Sequence, residues 1–259
     1  DGRTDEIGSL ARSFDAMAAD LEATEVARRR FFQDAAHELK TPVAVIDATT
    51  SAVIDGVYPH DDRHLATIRD QARLLGRIVD DLRVVSLADA GVLPLGLETI
   101  DVSGLLTAVA ADAETRAGAA GITVRVEAPS GLAVVADRDR LRQVLGALVD
   151  NAIRHTPGGG SIRLAASASG AGTPAASAAG VPGTTRIAVS DTGPGIAPDD
   201  LPHVFERFYQ ADAARDRTTG TSGLGLAIVR AVVEAHGGTV RAMNVPGAGA
   251  RFEIDLPAR

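Results

Sequence analysis

Apolar residues spaced alternately three and four positions apart run through the first ninety residues, the pattern of long helices packed along a seam. Ile7, Leu10, Phe14, Met17 and Leu21 make one stripe. Phe32, Ala36, Leu39, Val43, Ile46, Thr50, Val53 and Val57 make a second, and Leu65, Ile68, Ala72, Leu75, Val79 and Leu82 a third. Each predicts a helix with a bundle-core face. Carried forward, the first stripe's alternation gives core positions at 28, 31, 35 and 38, whereas the second stripe occupies 32, 36 and 39, one residue out of phase. Read as a single seam, the two registers require local over- or underwinding between Leu21 and Phe32, which is either a joint that transmits motion or a plain packing irregularity.

Val57-Tyr58-Pro59-His60-Asp61-Asp62 separates the second and third stripes with a proline and short polar residues, which predicts an antiparallel helical hairpin. The stripes are too long for one hairpin to bury, so two copies are expected to form a four-helix dimer core. Gly91-Val92-Leu93-Pro94-Leu95-Gly96 reads as a linker. Beyond it the pattern is mixed: a helix near 102–118, strands around 121–128 and 132–136, and a helix from about 138 to 155. Further strands are expected near 160–167, 185–190, 239–245 and 250–256. Residues 165 to 185, almost wholly Ala, Ser, Gly, Thr and Pro, read as a flexible loop between two strands.

Composition narrows the function classes. A chain of 259 residues with 45% hydrophobic content buries a substantial core. Its net charge of −8, with Arg28-Arg29-Arg30 as the longest basic run, argues against a nucleic-acid or anionic-membrane surface. The absence of cysteine excludes disulfides and thiolate metal sites. No apolar run reaches the length of a membrane span, and the opening Asp1-Gly2-Arg3-Thr4 carries neither a signal region nor an initiator Met, which reads as an excised fragment.

Candidate chemistry concentrates in five places. His37 lies in Ala36-His37-Glu38-Leu39-Lys40-Thr41-Pro42, one position beyond a stripe residue. By itself it is as readily a solvated helix-face residue as a phosphoryl acceptor. The Glu38 carboxylate can fix the ring's tautomer, Thr41 lies one turn on, and Pro42 cannot donate to the Glu38 carbonyl, so a bend is expected there. In the second place, an amphipathic helix from Leu141, Asn151 offers an amide oxygen to a hard cation. Asp191-Thr192-Gly193-Pro194-Gly195-Ile196 follows an apolar strand. Its Asp is either an acceptor for an exocyclic amine or the cap of a tight turn. Phe205-Glu206-Arg207-Phe208-Tyr209 is an aromatic cluster in a chain with 3% aromatics, and reads as the anchor of a loop. Gly220-Thr221-Ser222-Gly223-Leu224-Gly225 opens a helix whose free N–H groups suit phosphate, a signal that alone is nonspecific. The polar stretch from Gln210 to Thr219 reads as a lid.

In order and spacing these five boxes resemble the cytoplasmic part of a bacterial sensor histidine kinase, over essentially the whole chain. Asp5-Glu6-Ile7-Gly8 through Met17 also resembles the second helix of a HAMP linker. The resemblance implies a HAMP remnant at 1–24, a dimerisation and phosphoacceptor domain at 25–90, a linker at 91–98 and an ATP-binding domain at 99–259. It implies an all-α helical hairpin forming a dimeric four-helix bundle, followed by an α/β sandwich of the Bergerat type. By matching position, His37 is the phosphoacceptor, Glu38 its acid/base partner and Thr41 the residue that assists regulator dephosphorylation. Asn151 binds Mg2+, Asp191 meets adenine, and Gly193, Gly195, Gly223 and Gly225 shape the ATP pocket. Arg154, His155, Thr221, Ser222 and Leu224 line it, and Arg215 or Arg217 reaches the terminal phosphate. The implied partners are a second copy and a response-regulator receiver domain, with the membrane met only through a preceding segment. Two positions depart from the pattern. Ala147 replaces an Asn common there, and Thr221 stands where glycine is common. A β-branched Thr221 resists positive φ, which puts lid order in question.

Overall fold

The computed structural model describes residues 3–170, 183–210, 223–247 and 249–257. The chain divides into two compact units, Asp1–Ile78 and Val79–Arg259. The first holds α1 (Arg3–Ile54), a short turn and the start of α2 (Asp62–Asp89), whose last turns belong to the second, so the predicted break falls where expected. Asp61 starts α2: its Oδ1 accepts from the His64 backbone N–H at 3.0 Å and pairs with His64 Nδ1 at 2.7 Å, while the His64 ring stacks on Tyr58. Pro42 lies inside α1, is buried and does not end it.

Burial along the helices revises the expected register. Among the described residues the buried α1 positions are Phe31, Ala35, Pro42 and Thr49, which continue the phase of the first stripe rather than the second. Ala36, expected in the core, is exposed, as are Phe32 and Val43. The same offset recurs on α2, where Ile78 is buried and the neighbouring Val79 is exposed. Between residues 31 and 49 two apolar rows thus lie about 100° apart on the helix, one buried and the other exposed within the single chain.

In the second unit a five-stranded mixed sheet runs in the order β2-β4-β5-β7-β6, from β2 (Thr123–Glu127), β4 (Ser161–Gly170), β5 (Gly183–Asp191), β6 (Thr239–Val245) and β7 (Gly249–Pro257). Only β2–β4 is parallel. β1 (Leu97–Asp101) and β3 (Ala133–Asp137) form a small antiparallel pair. Helices α3 (Val102–Ala119), α4 (Arg138–His155) and α5 (Gly225–Ala235) make the second layer. The sheet meets them with Ile162, Leu164, Ile187, Val189, Phe252 and Ile254, all buried and alternating along their strands as a one-sided sheet requires. Leu141, Leu145 and Leu148 of α4 answer from the helix side. The opposite sheet face is charged: Arg186 binds Asp255 through two hydrogen bonds of 2.7 and 2.8 Å, and Glu253 pairs with Arg251.

Two expectations change here. Residues 165–170 and 183–185 are not loop: they extend the β4–β5 ladder from Ala165↔Ala188 to Gly170↔Gly183. Ala and Ser are poor strand signals but are accepted where a neighbouring strand supplies the hydrogen bonds. The rest of that low-complexity stretch, 171–182, lies outside the described residues. A strand also begins at Leu97, inside the stretch read as linker; of its five residues only Ile100 is buried, too little to mark it in the sequence.

Candidate functional site

His37 is exposed on α1, about 200° around the helix from buried Ala35. The ring therefore points away from the buried row. Thr41 Oγ1 donates to the His37 carbonyl at 3.3 Å, which places its hydroxyl on the face below the histidine. Glu38 makes no hydrogen bond to the ring. Partial burial raises its pKa above the ordinary carboxylate value, the Asp34 charge adds to the rise, and His37 opposes it.

The second unit builds a cradle where β5 ends. Asp191 is 5% exposed, and its Oδ1 accepts from the backbone N–H of Gly193 at 2.8 Å and of Ala250 at 3.3 Å. The loop that follows is clamped by Asn244 of β6: its Nδ2 donates to the Ile196 carbonyl at 2.7 Å and its Oδ1 accepts from the Ile196 N–H at 2.8 Å. Gly195 has φ +82, and a Cβ there would lie 2.8 Å from Asn244 Oδ1. A Cβ on Gly193 would meet the His155 carbonyl at 2.6 Å, so the end of α4 abuts this loop. Thr192, Gly193, Pro194, Gly195, Asn244 and Gly249 line a cavity of about 280 Å³ there.

Asn151 stands one turn before His155 on α4, half-buried, and its side chain makes no hydrogen bond among the described residues. Its amide oxygen is thus available to a cation. Arg154 and His155 occupy the last turn, where desolvation lowers the Arg154 pKa against the pull of Asp150. Further along, the Phe208 N–H donates to the Gly223 carbonyl at 3.1 Å. Phe208 has φ +58, the one left-handed non-glycine among the described residues, and a Cβ on Gly223 would strike its backbone at 2.7 Å. This contact sets the start of α5, where Leu224 is fully buried beside Gly225. Arg215, Arg217, Thr221 and Ser222 lie outside the described residues.

The family model for the histidine kinase-, DNA gyrase B-, and HSP90-like ATPase matches residues 136–259, and that for the His Kinase A (phospho-acceptor) domain matches 27–91. The solved structure of the Acinetobacter baumannii histidine kinase AdeS superposes with a TM-score of 0.70 at 30% identity, over 86% of this chain and 98% of that one. The chain belongs to the histidine kinases. This histidine kinase is also 34% identical over 253 residues to the signal transduction histidine-protein kinase BaeS of Escherichia coli, covering 98% of the chain and 52% of BaeS. It thus spans about half the length of that curated relative. Full-length ShkA, solved in complex with AMPPNP, superposes with a TM-score of 0.63 at 29% identity, over 87% of this chain and 46% of that one.

Within this histidine kinase the sequence boxes resolve into two groups. Asp191, Gly193, Gly195 and the end of α4 come together in the cradle, with Gly223, Leu224 and Gly225 opening α5. His37, Glu38 and Thr41 form the other group, on α1. Asn244 and Gly249 are the residues of this cradle that sequence reading missed. Neither sits in a local motif, and only the β6–β7 ladder, with Asn244↔Ala250 and Val245↔Gly249, carries them to the end of β5. Among the described residues, no helix is long and apolar enough to cross a membrane.

Proposed function

We propose that this chain is the catalytic portion of a longer membrane-anchored sensor kinase. ATP held in the second unit donates its γ-phosphoryl group to a ring nitrogen of His37, and phosphohistidine then passes it to an aspartate in the receiver domain of a response regulator. The observation that carries this reading is the presence, in one chain, of an exposed imidazole inside a phosphoacceptor match and a glycine-walled pocket with a buried carboxylate inside an ATPase match.

Each residue then has a part. Asp191, its Oδ1 held by the loop's own N–H groups, offers its other oxygen to the adenine amine. Gly193, Gly195 and Gly249 let the Asp191 loop pack directly on the end of α4, on Asn244 and on Asp191 itself, where any Cβ would collide, and so hold the carboxylate in place for the base. The glycine-rich start of α5 presents N–H groups and a positive dipole end to the phosphates, with Arg154 and His155 near them, and Arg217 is assigned to the terminal phosphate by its matching position alone. The free amide of Asn151 fits an ion that takes few protein ligands beside phosphate oxygens; Mg2+, when bound, supplies charge neutralisation on the transferring group. Glu38, with its raised pKa, takes up or returns the His37 proton during transfer. Thr41 orients a water for hydrolysis of the phosphorylated regulator.

The exposed apolar row on α1 and α2, with Phe32, Val43, Leu65 and Val79, supports a homodimer built from two hairpins. Residues 1–24 would be the end of a HAMP linker, 25–90 the dimerisation and phosphoacceptor domain, 91–98 a linker and 99–259 the ATP-binding domain. The whole would lie on the cytoplasmic side of the membrane. Incubation with γ-labelled ATP should give an acid-labile phosphoprotein in the wild type and none in His37→Gln; label that persists in the variant would rule out His37 as acceptor.

A further inference from the structure

His236 follows directly on α5 and is 3% exposed, and its ring is bonded at both nitrogens. The Asp137 backbone N–H, which can only donate, points at Nε2 at 3.0 Å. The Val232 carbonyl, which can only accept, lies 2.8 Å from Nδ1. These partners fix one neutral tautomer, with the proton on Nδ1. Asp137 is itself a junction. It ends β3 and caps α4, its Oδ1 accepting from the Arg140 N–H at 2.9 Å and its Oδ2 from the Gly96 N–H at 2.8 Å. One imidazole thus ties the C-terminal turn of α5 to the N-cap of α4 and, through Asp137, to Gly96 at the entry of β1.

The far ends of these two packed helices are the ones the nucleotide needs. α5 begins at the glycine-rich turn, and α4 carries Asn151 toward its C-terminus. We propose that His236 is a positioning residue of this site: by bridging α5 to the cap of α4, it sets where the phosphate-facing start of α5 stands relative to Asn151. The inference rests on the ATP-binding reading above. Misplacement of a phosphate by about an ångström is enough to cost on the order of 100-fold in transfer, whereas adenine recognition at Asp191 does not pass through the bridge.

Two substitutions separate the ring's two bonds. His236→Gln can place an amide oxygen near Nε2 and keep the Asp137 bond; His236→Asn can place an amide nitrogen near Nδ1 and keep only the bond within α5. Autophosphorylation would be measured at saturating ATP, well below either variant's melting midpoint, alongside adenosine affinity. Gln should stay within about 3-fold of wild type. Asn should lose about 30-fold in rate with adenosine affinity unchanged. Equal rates for the two variants, or equal loss of rate and adenosine binding in Asn, overturn the proposal. If either variant fails to fold, 15N-detected spectra of the neutral wild-type ring decide: a proton on Nδ1 supports the bridge, and a proton on Nε2 removes it. Asn151→Ala separates the two readings, because a wild type that binds no ATP, like that variant, overturns the kinase reading itself.

Discussion

Single residues in this kinase are held by arithmetic that a substitution can check. Glu38 titrates above the ordinary carboxylate value, so its contribution to stability is fully present below about pH 4.5 and is lost as pH rises through its folded-state pKa. Glu38→Gln should therefore melt higher than wild type at pH 7 to 8, with the difference closing as pH falls below that of the free carboxyl. The same variant should lose about 10²-fold or more in autophosphorylation rate, a general acid/base loss readable in the labelled-ATP assay. Gly249 makes a sharper case. Its φ is +116, and an added Cβ would stand 2.6 Å from the Asp191 carbonyl and 2.7 Å from its Oδ1. Gly249→Ala should cost about 2 kcal/mol or more in urea unfolding and should abolish nucleotide-induced stabilisation. His37 and Asp191 stand out in the sequence because part of their surroundings is local, Thr41 bonding the His37 carbonyl and Gly193 the Asp191 carboxylate. Asn244 and Gly249 could not, since a β-ladder supplies their proximity and leaves no local trace.

At the scale of elements, legibility followed periodicity. Helices α3 and α4 lie within about a residue of where the apolar spacing puts them, because each buries one face against a sheet and starts on an aspartate cap, Asp101 and Asp137, whose side chain accepts from the N–H three residues on. Strand β1 escaped because it buries one residue, and the outer half of the β4–β5 ladder escaped because Ala, Ser and Gly carry no alternation. The α1 pattern was seen but folded two faces into one, since position alone does not say which row a partner helix covers. Leu148 tests the α4 packing. It is fully buried against the sheet layer, so Leu148→Ala should lower unfolding free energy by about 2–5 kcal/mol, measured by denaturant titration.

For the whole molecule, two units predict two responses. Nucleotide at about 100 times its dissociation constant should raise the stability of the unit spanning Val79–Arg259 by about 2.7 kcal/mol, and calorimetry should show that transition moving while the other stays in place. Phe32→Glu, on the exposed row, should raise the dimer dissociation constant at least 100-fold in sedimentation while leaving the helical circular-dichroism signal intact, because the side chain is 62% exposed within its own chain. The β4–β5 ladder has a separate consequence. Its paired residues run from Ile162↔Asp191 at the nucleotide cradle to Gly170↔Gly183 at the other end, eight steps or about 27 Å away. Residues 171–182 enter and leave at adjacent, hydrogen-bonded positions, and lengthening such a connection costs only about 0.6 kcal/mol per doubling. A linker of different length joining Gly170 to Gly183 should therefore leave the unfolding free energy of the ATP-binding unit within about 1 kcal/mol, read by denaturant titration, which makes that junction a place to graft a fluorophore or a surface tether.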